Sequence, residues 1–78
     1  MAVLSSDIAK LGRKAGVQIS LDELATHASL REAGLDSMDM MNLFLEIEDA
    51  YRLKIPDEDY ALLDSVDAIV VYLDAHLQ

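Results

Sequence analysis

Cysteine is absent from the 78 residues, so neither a disulfide nor a thiolate zinc site can staple the chain, and two histidines alone do not make a metal site. A domain of this length hides only about 60% of its unfolded surface. Its stability must therefore come from packing apolar faces, which 53% hydrophobic content supplies. Basic charge is also scarce. Residues 1 to 33 hold four acidic and four basic side chains, whereas residues 34 to 78 hold eleven acidic and only two basic ones, Arg52 and Lys54, which accounts for the whole formal charge of -9. A polyanionic backbone would be repelled by that second half, so nucleic acid is disfavoured as a partner and basic protein surfaces are favoured. No basic stretch followed by a long apolar run opens the chain at MAVLSSDIAK, and no apolar segment approaches bilayer-spanning length. Neither a secretory signal nor a membrane anchor is expected, which leaves a soluble, cytoplasmic, monomeric protein of one domain, residues 1–78.

Apolar periodicity is helical almost throughout. Ser5 or Ser6 is positioned to cap a first helix running to about Ala15, with Ile8, Leu11 and Ala15 on one face and Gly16 ending it. The alternation in VQISL imitates a strand, but a lone short strand has no partner, so its apolar residues are assigned to a loop that plugs the core. Ser20 or Asp22 starts a single helical turn through LDELA, and Leu30 is the expected anchor of the loop that follows. From Asp36 a long helix is expected to run to Tyr51 or Arg52. Asp36 is its N-cap, and Asp39 adds negative charge where the helix start favours it. Met40, Leu43, Phe44, Ile47 and Tyr51 should face the core, while Met38, Met41 and Leu45 form a second stripe that one buried face does not require.

Beyond Pro56 the segment IPDEDY predicts an anchoring Ile55 and a short helix from Asp57 to about Leu63. The acids Asp57, Glu58 and Asp59 lack the ligand order and glycine of a calcium loop. Asp64 or Ser65 caps a last helix with Val66, Ile69, Val70, Leu73 and Leu77 inward. The whole is an all-α fold, a small four-helix bundle of three longer helices and one short one. Phe44, Tyr60, Leu62 and Tyr72 are assigned to the core in preference to a cargo cavity.

Within this frame, the stretch GLDSMD places Ser37 at a helix start with no base beside it in sequence. A hydrolytic serine needs a histidine or lysine and a third group to orient it, and His27 and His76 fall in a loop and at the end of the last helix. There is no glycine-rich phosphate loop and no HExxH segment either. The alternative use of such a hydroxyl is as a substrate: it is exposed and rigidly presented, and a phosphate attached to it would meet free backbone N–H groups. A plain first-turn serine in a small acidic adaptor that binds basic proteins is the competing account.

The segment GLDSMDMMNLFLEIEDAYRLKIPDED resembles the heart of the acyl carrier protein family and its peptidyl and aminoacyl relatives, whose motif is G-x-D-S-L followed by a long acidic helix. Leu30 and Gly34 before the motif, Asp36 and Ser37 within it, Leu43, Ile47 and Tyr51 along the helix, Ile55 with Pro56, and Val66 carry the likeness over roughly residues 25 to 77. The resemblance implies a non-catalytic carrier. Ser37 would bear 4'-phosphopantetheine through a phosphodiester, Asp36 would cap and position it, and acyl or aminoacyl groups would ride on the arm's thiol as thioesters. It implies as partners a phosphopantetheinyl transferase and acyl- or amino acid-activating and transferring enzymes with basic docking surfaces, meeting Met38, Met41, Leu45, Glu46, Glu48 and Asp49. Three departures stand out. Met38 replaces the usual leucine, Asn42 stands where fatty acid synthesis carriers have glutamate, and LGRKAGVQISLDELA matches the usual pattern poorly. They point to a specialised carrier, one for an amino acid or a secondary pathway.

Overall fold

A computed structural model describes residues 3–76. Helix α1 spans Ser5–Lys14, α2 spans Ser37–Tyr51 and α3 spans Val66–His76, with a 3₁₀ turn at Leu21–Glu23 and a second, longer 3₁₀ helix at Asp57–Leu62. Among the described residues there are thus three long helices and, apart from the single turn at Leu21–Glu23, one short one, which is 3₁₀ rather than α.

The start of α1 differs from expectation by one residue. Leu4 is the N-cap, and the Asp7 carboxylate reaches back to accept its N–H at 3.0 Å. Both serines therefore fall inside the first turn, because the acid three residues beyond Leu4 sets the register. At the other end, Gly16 adopts a φ of 87°. Its N–H donates to the Arg13 carbonyl at 3.1 Å, and the Val17 N–H donates to Gly12 at 3.0 Å. This paired closure needs a left-handed residue at Gly16, and it turns Val17 into the core. Val17 and Leu21 are buried and Ile19 half-buried, so VQISL plugs the core as a loop.

Helix α2 buries Met40, Leu43, Phe44 and Ile47, with Tyr51 half-buried beside them. It ends at Arg52, which takes the left-handed conformation at φ 55°, ψ 48°. The chain then folds back so that the Glu48 carboxylate accepts the Ile55 N–H at 2.7 Å. Pro56 opens the second 3₁₀ helix, in which Leu63 just beyond the end turns inward while Leu62 remains 68% exposed. Leu62 is therefore not a core residue; the tight threefold turn gives the inward position to its neighbour. Ser65 caps α3 by accepting the Ala68 N–H at 3.1 Å. Val66, Ile69 and Leu73 are buried and Val70 is half-buried, while Leu77 lies outside the described residues.

The direction of the helices follows from their end contacts. The Val3 N–H donates to Asp74 near the end of α3, so α1 and α3 are antiparallel. Gly16 and Val17, just past α1, share a recess with Asp36 and Asp39 at the head of α2, so α1 and α2 are antiparallel as well. Helix α1 packs against both. No described helix is long and apolar enough to cross a membrane.

Candidate functional site

Ser37 is the first residue of α2 and is exposed. Its position is set by a reciprocal pair. The Asp39 N–H donates to Asp36 Oδ1 at 2.8 Å, and the Asp36 N–H donates to Asp39 Oδ2 at 3.3 Å. A fifteen-residue helix behind this cap fixes the hydroxyl at one end of the bundle. Asp39 is thus more than a favourable charge; it is half of the cap.

The segment leading to Ser37 is fastened with equal care. Ser29 Oγ donates to Asp64 Oδ2 at 2.6 Å and accepts the Glu32 N–H at 3.3 Å, and the Arg31 N–H donates to Asp64 Oδ1 at 3.2 Å. The Asp64 carbonyl takes the Leu30 N–H at 2.8 Å, and the Thr26 carbonyl takes the Asp67 N–H at 2.9 Å. The hydrogen bond from Ser29, followed by that from Arg31 and the nearby Arg31 charge, lowers the Asp64 pKa against the opposing effect of burial. Leu30 is fully buried, as expected of an anchor. The turn ends at Gly34, whose φ of 118° only glycine adopts without strain, and the Leu35 N–H returns to the Leu30 carbonyl. Asp64 therefore ties the approach to Ser37 to the start of α3.

Beside Ser37 lies a recess of about 150 Å³, lined also by Arg31, Met40, Met41, Phe44 and Tyr60. Its floor is apolar, with the Phe44 and Tyr60 ring centroids 4.7 Å apart. No imidazole or amine lines it among the described residues. Burial, with Glu48 and Asp57 adding to it, raises the Tyr60 phenol pKa. His76 is engaged elsewhere: its ring stacks on Tyr72, and Nδ1 lies 2.8 Å from the Tyr72 carbonyl oxygen. The hydroxyl has the presentation of a substrate and lacks the company of a nucleophile.

The outer face of α2 carries Met38, Met41 and Leu45 at 70%, 54% and 53% exposure, together with exposed Asn42 and Asp49. Two acids behave differently. Glu48 is committed to the Ile55 N–H, and Glu46 lies 3.7 Å from Lys14 Nζ. Glu48 is accordingly half-exposed and also an internal tie, because the chain reversal after Arg52 brings a backbone donor to it. Sequence reasoning also missed the Ser29 and Asp64 contacts, although Ser29-Leu30-Arg31-Glu32 has the S-x-x-E form of a capping box. The neighbourhood of Arg31 and Tyr60 with Ser37 has no local signal at all.

A small helical bundle thus offers an exposed hydroxyl at a capped helix start, presented as a substrate for another enzyme would be. The sequence model of the phosphopantetheine attachment site family matches residues 8–73, and the chain belongs to that family. The match takes in the LGRKAGVQISLDELA region that departs from the usual pattern. The protein is a non-catalytic carrier that bears phosphopantetheine, and phosphopantetheinyl transferases and acyl-transfer enzymes are the partners that such a carrier serves.

Proposed function

We propose that Ser37 is the residue to which 4'-phosphopantetheine is attached, within a single carrier domain spanning residues 1–78. The observation that carries the assignment is the exposed Ser37 hydroxyl at the first position of α2, held there by the Asp36 and Asp39 cap. The residues present fit the group. The hydroxyl is open to a transferase active site, the Ser37 and Met38 N–H groups precede the first intrahelical donor, and the adjoining recess has Arg31 in its wall beside an apolar floor. The arm supplies the terminal thiol that a cysteine-free chain lacks, as the atom that holds an acyl or aminoacyl group in thioester linkage.

The chain's own contribution is presentation. Asp36 fixes the helix start, so the Cα–Cβ bond that carries Ser37 Oγ is aimed in one direction. In loading, Ser37 Oγ loses its proton to a base of the transferase and gains a bond to the pantetheinyl phosphorus of coenzyme A, while the phosphoanhydride bond breaks and the nucleotide half departs. Met38, Met41 and Leu45, with Asp49 alongside, form the proposed docking face for enzymes whose apolar patches are rimmed by basic residues. Exposed ion pairs each contribute only about 0 to 1 kcal/mol, so recognition on this face is collective and weakens with salt.

The test is intact mass after incubation with coenzyme A and a broad-specificity phosphopantetheinyl transferase. One addition is expected on the native chain and none on Ser37→Ala. An addition that survives Ser37→Ala, or no addition on the native chain while a control carrier is modified, overturns the assignment.

A further inference from the structure

With Ser37 as the attachment residue, a phosphodiester monoanion would stand at a helix start that already carries the Asp36 and Asp39 carboxylates, in the half of the chain that holds all of the net charge. Like charges at close range disfavour one another. Arg31 is the one cation among the residues lining the Ser37 recess. Its backbone is anchored: the Arg31 N–H is held by Asp64, and Leu30 next to it is fully buried. Its side chain is uncommitted. Residue 31 is exposed, and among the described residues the ion pairs within 4 Å are Arg13 with Asp22 and Lys14 with Glu46. Asp64, the carboxylate that the Arg31 charge influences, is already occupied by Ser29 Oγ and by the Arg31 N–H itself.

We propose that Arg31 is a positioning residue for the arm. Its guanidinium takes the phosphodiester on Ser37, so that the dimethyl-bearing segment next to the phosphate lies on the apolar floor beside Met41 and Tyr60 and the thiol end stays free. Guanidinium matches the paired oxygens of a phosphate better than an ammonium does. The recess, at about 150 Å³, has room for a short segment of the arm. The proposal rests on the Ser37 assignment, and its test separates the two.

The loaded protein is first checked by intact mass, which tests the Ser37 assignment alone. The ¹⁵N-labelled protein is then compared before and after loading by the Nε–Hε resonances of its three arginines, at mildly acidic pH where those protons exchange slowly. The expected result is a shift of Arg31 on loading, shrinking as salt is raised, while Arg13, already paired with Asp22, and Arg52 stay in place. Contacts from the arm's methyl groups to Met41 and Tyr60 should appear in the native chain, weaken in Arg31→Lys and vanish in Arg31→Gln, with the ³¹P resonance of the diester moving in the same order. A protein loaded on Ser37 whose Arg31 resonance does not move, or whose ³¹P signal is the same in Arg31→Gln, overturns the role of Arg31 and leaves the attachment site standing. Failure to load overturns both.

Discussion

Replacing Asp36 with alanine removes the acceptor that holds the Asp39 N–H at 2.8 Å and leaves the return bond, from the backbone N–H of residue 36 to Asp39 Oδ2, as the remaining half of the cap. Loss of an N-cap of this kind costs about 1 kcal/mol, within a range of roughly 0.5 to 2. At about 2.1 cal/mol/K per residue, a chain of this length has an unfolding entropy of about 160 cal/mol/K, so Asp36→Ala should lower Tm by about 6 °C. Asp36→Asn keeps an oxygen that can accept the same bond and forfeits only the charge. It should lie much closer to the native protein. Thermal melts followed by far-UV circular dichroism give the Tm differences, and amide exchange should quicken at Asp39 in Asp36→Ala ahead of the rest of α2. Two results would refute the reasoning. An unchanged Tm in Asp36→Ala would mean that the cap contributes nothing, and an equal loss in Asp36→Asn would mean that charge, not the hydrogen bond, holds the helix start.

Two further expectations concern the ties that support the site. Arg52 is the one non-glycine residue with positive φ among those described, and relief of that strain should make Arg52→Gly more stable by about 0.5 to 1 kcal/mol in urea unfolding; a less stable variant would show that the Arg52 side chain matters more than its backbone. Asp64 has a lowered pKa, so its stabilisation is fully present above its unfolded-state value and is lost as pH falls from there through the folded-state value. Asp64→Asn should therefore lose about 1 to 3 kcal/mol at neutral pH and show a shallower acid decline than the native chain. Parallel acid declines in the two proteins would remove Asp64 as the source of the effect.

How much of this was legible in the sequence varied with the range of the interaction. The long helix and its start were readable because Asp36, Ser37 and Asp39 carry the capping chemistry locally, and Met40, Leu43, Phe44 and Ile47 repeat at helical spacing. Leu30 and Ile55 were readable as anchors because each is an apolar residue standing among polar loop residues. The α1 cap was misplaced by one position because two adjacent serines offered hydroxyls, whereas the carboxylate of Asp7 decided the register. The tie made by Glu48 was not readable because its partner, the Ile55 N–H, arrives only after the chain reverses at Arg52. The recess next to Ser37 is tertiary in origin: Arg31 comes from the loop, Met40, Met41 and Phe44 from α2, and Tyr60 from the second 3₁₀ helix, and no spacing links the three.

The hydrogen bond between Val3 and Asp74 places both extremities of the described polypeptide together at the foot of the bundle. Ser37 stands at its head, with the ten residues of α1, about 15 Å of helix, separating the two levels. Anything fused to either extremity, whether a purification handle, a surface linker or a neighbouring polypeptide, would hang from the base like the socket of a lamp post, and the hydroxyl would remain turned toward its visitors.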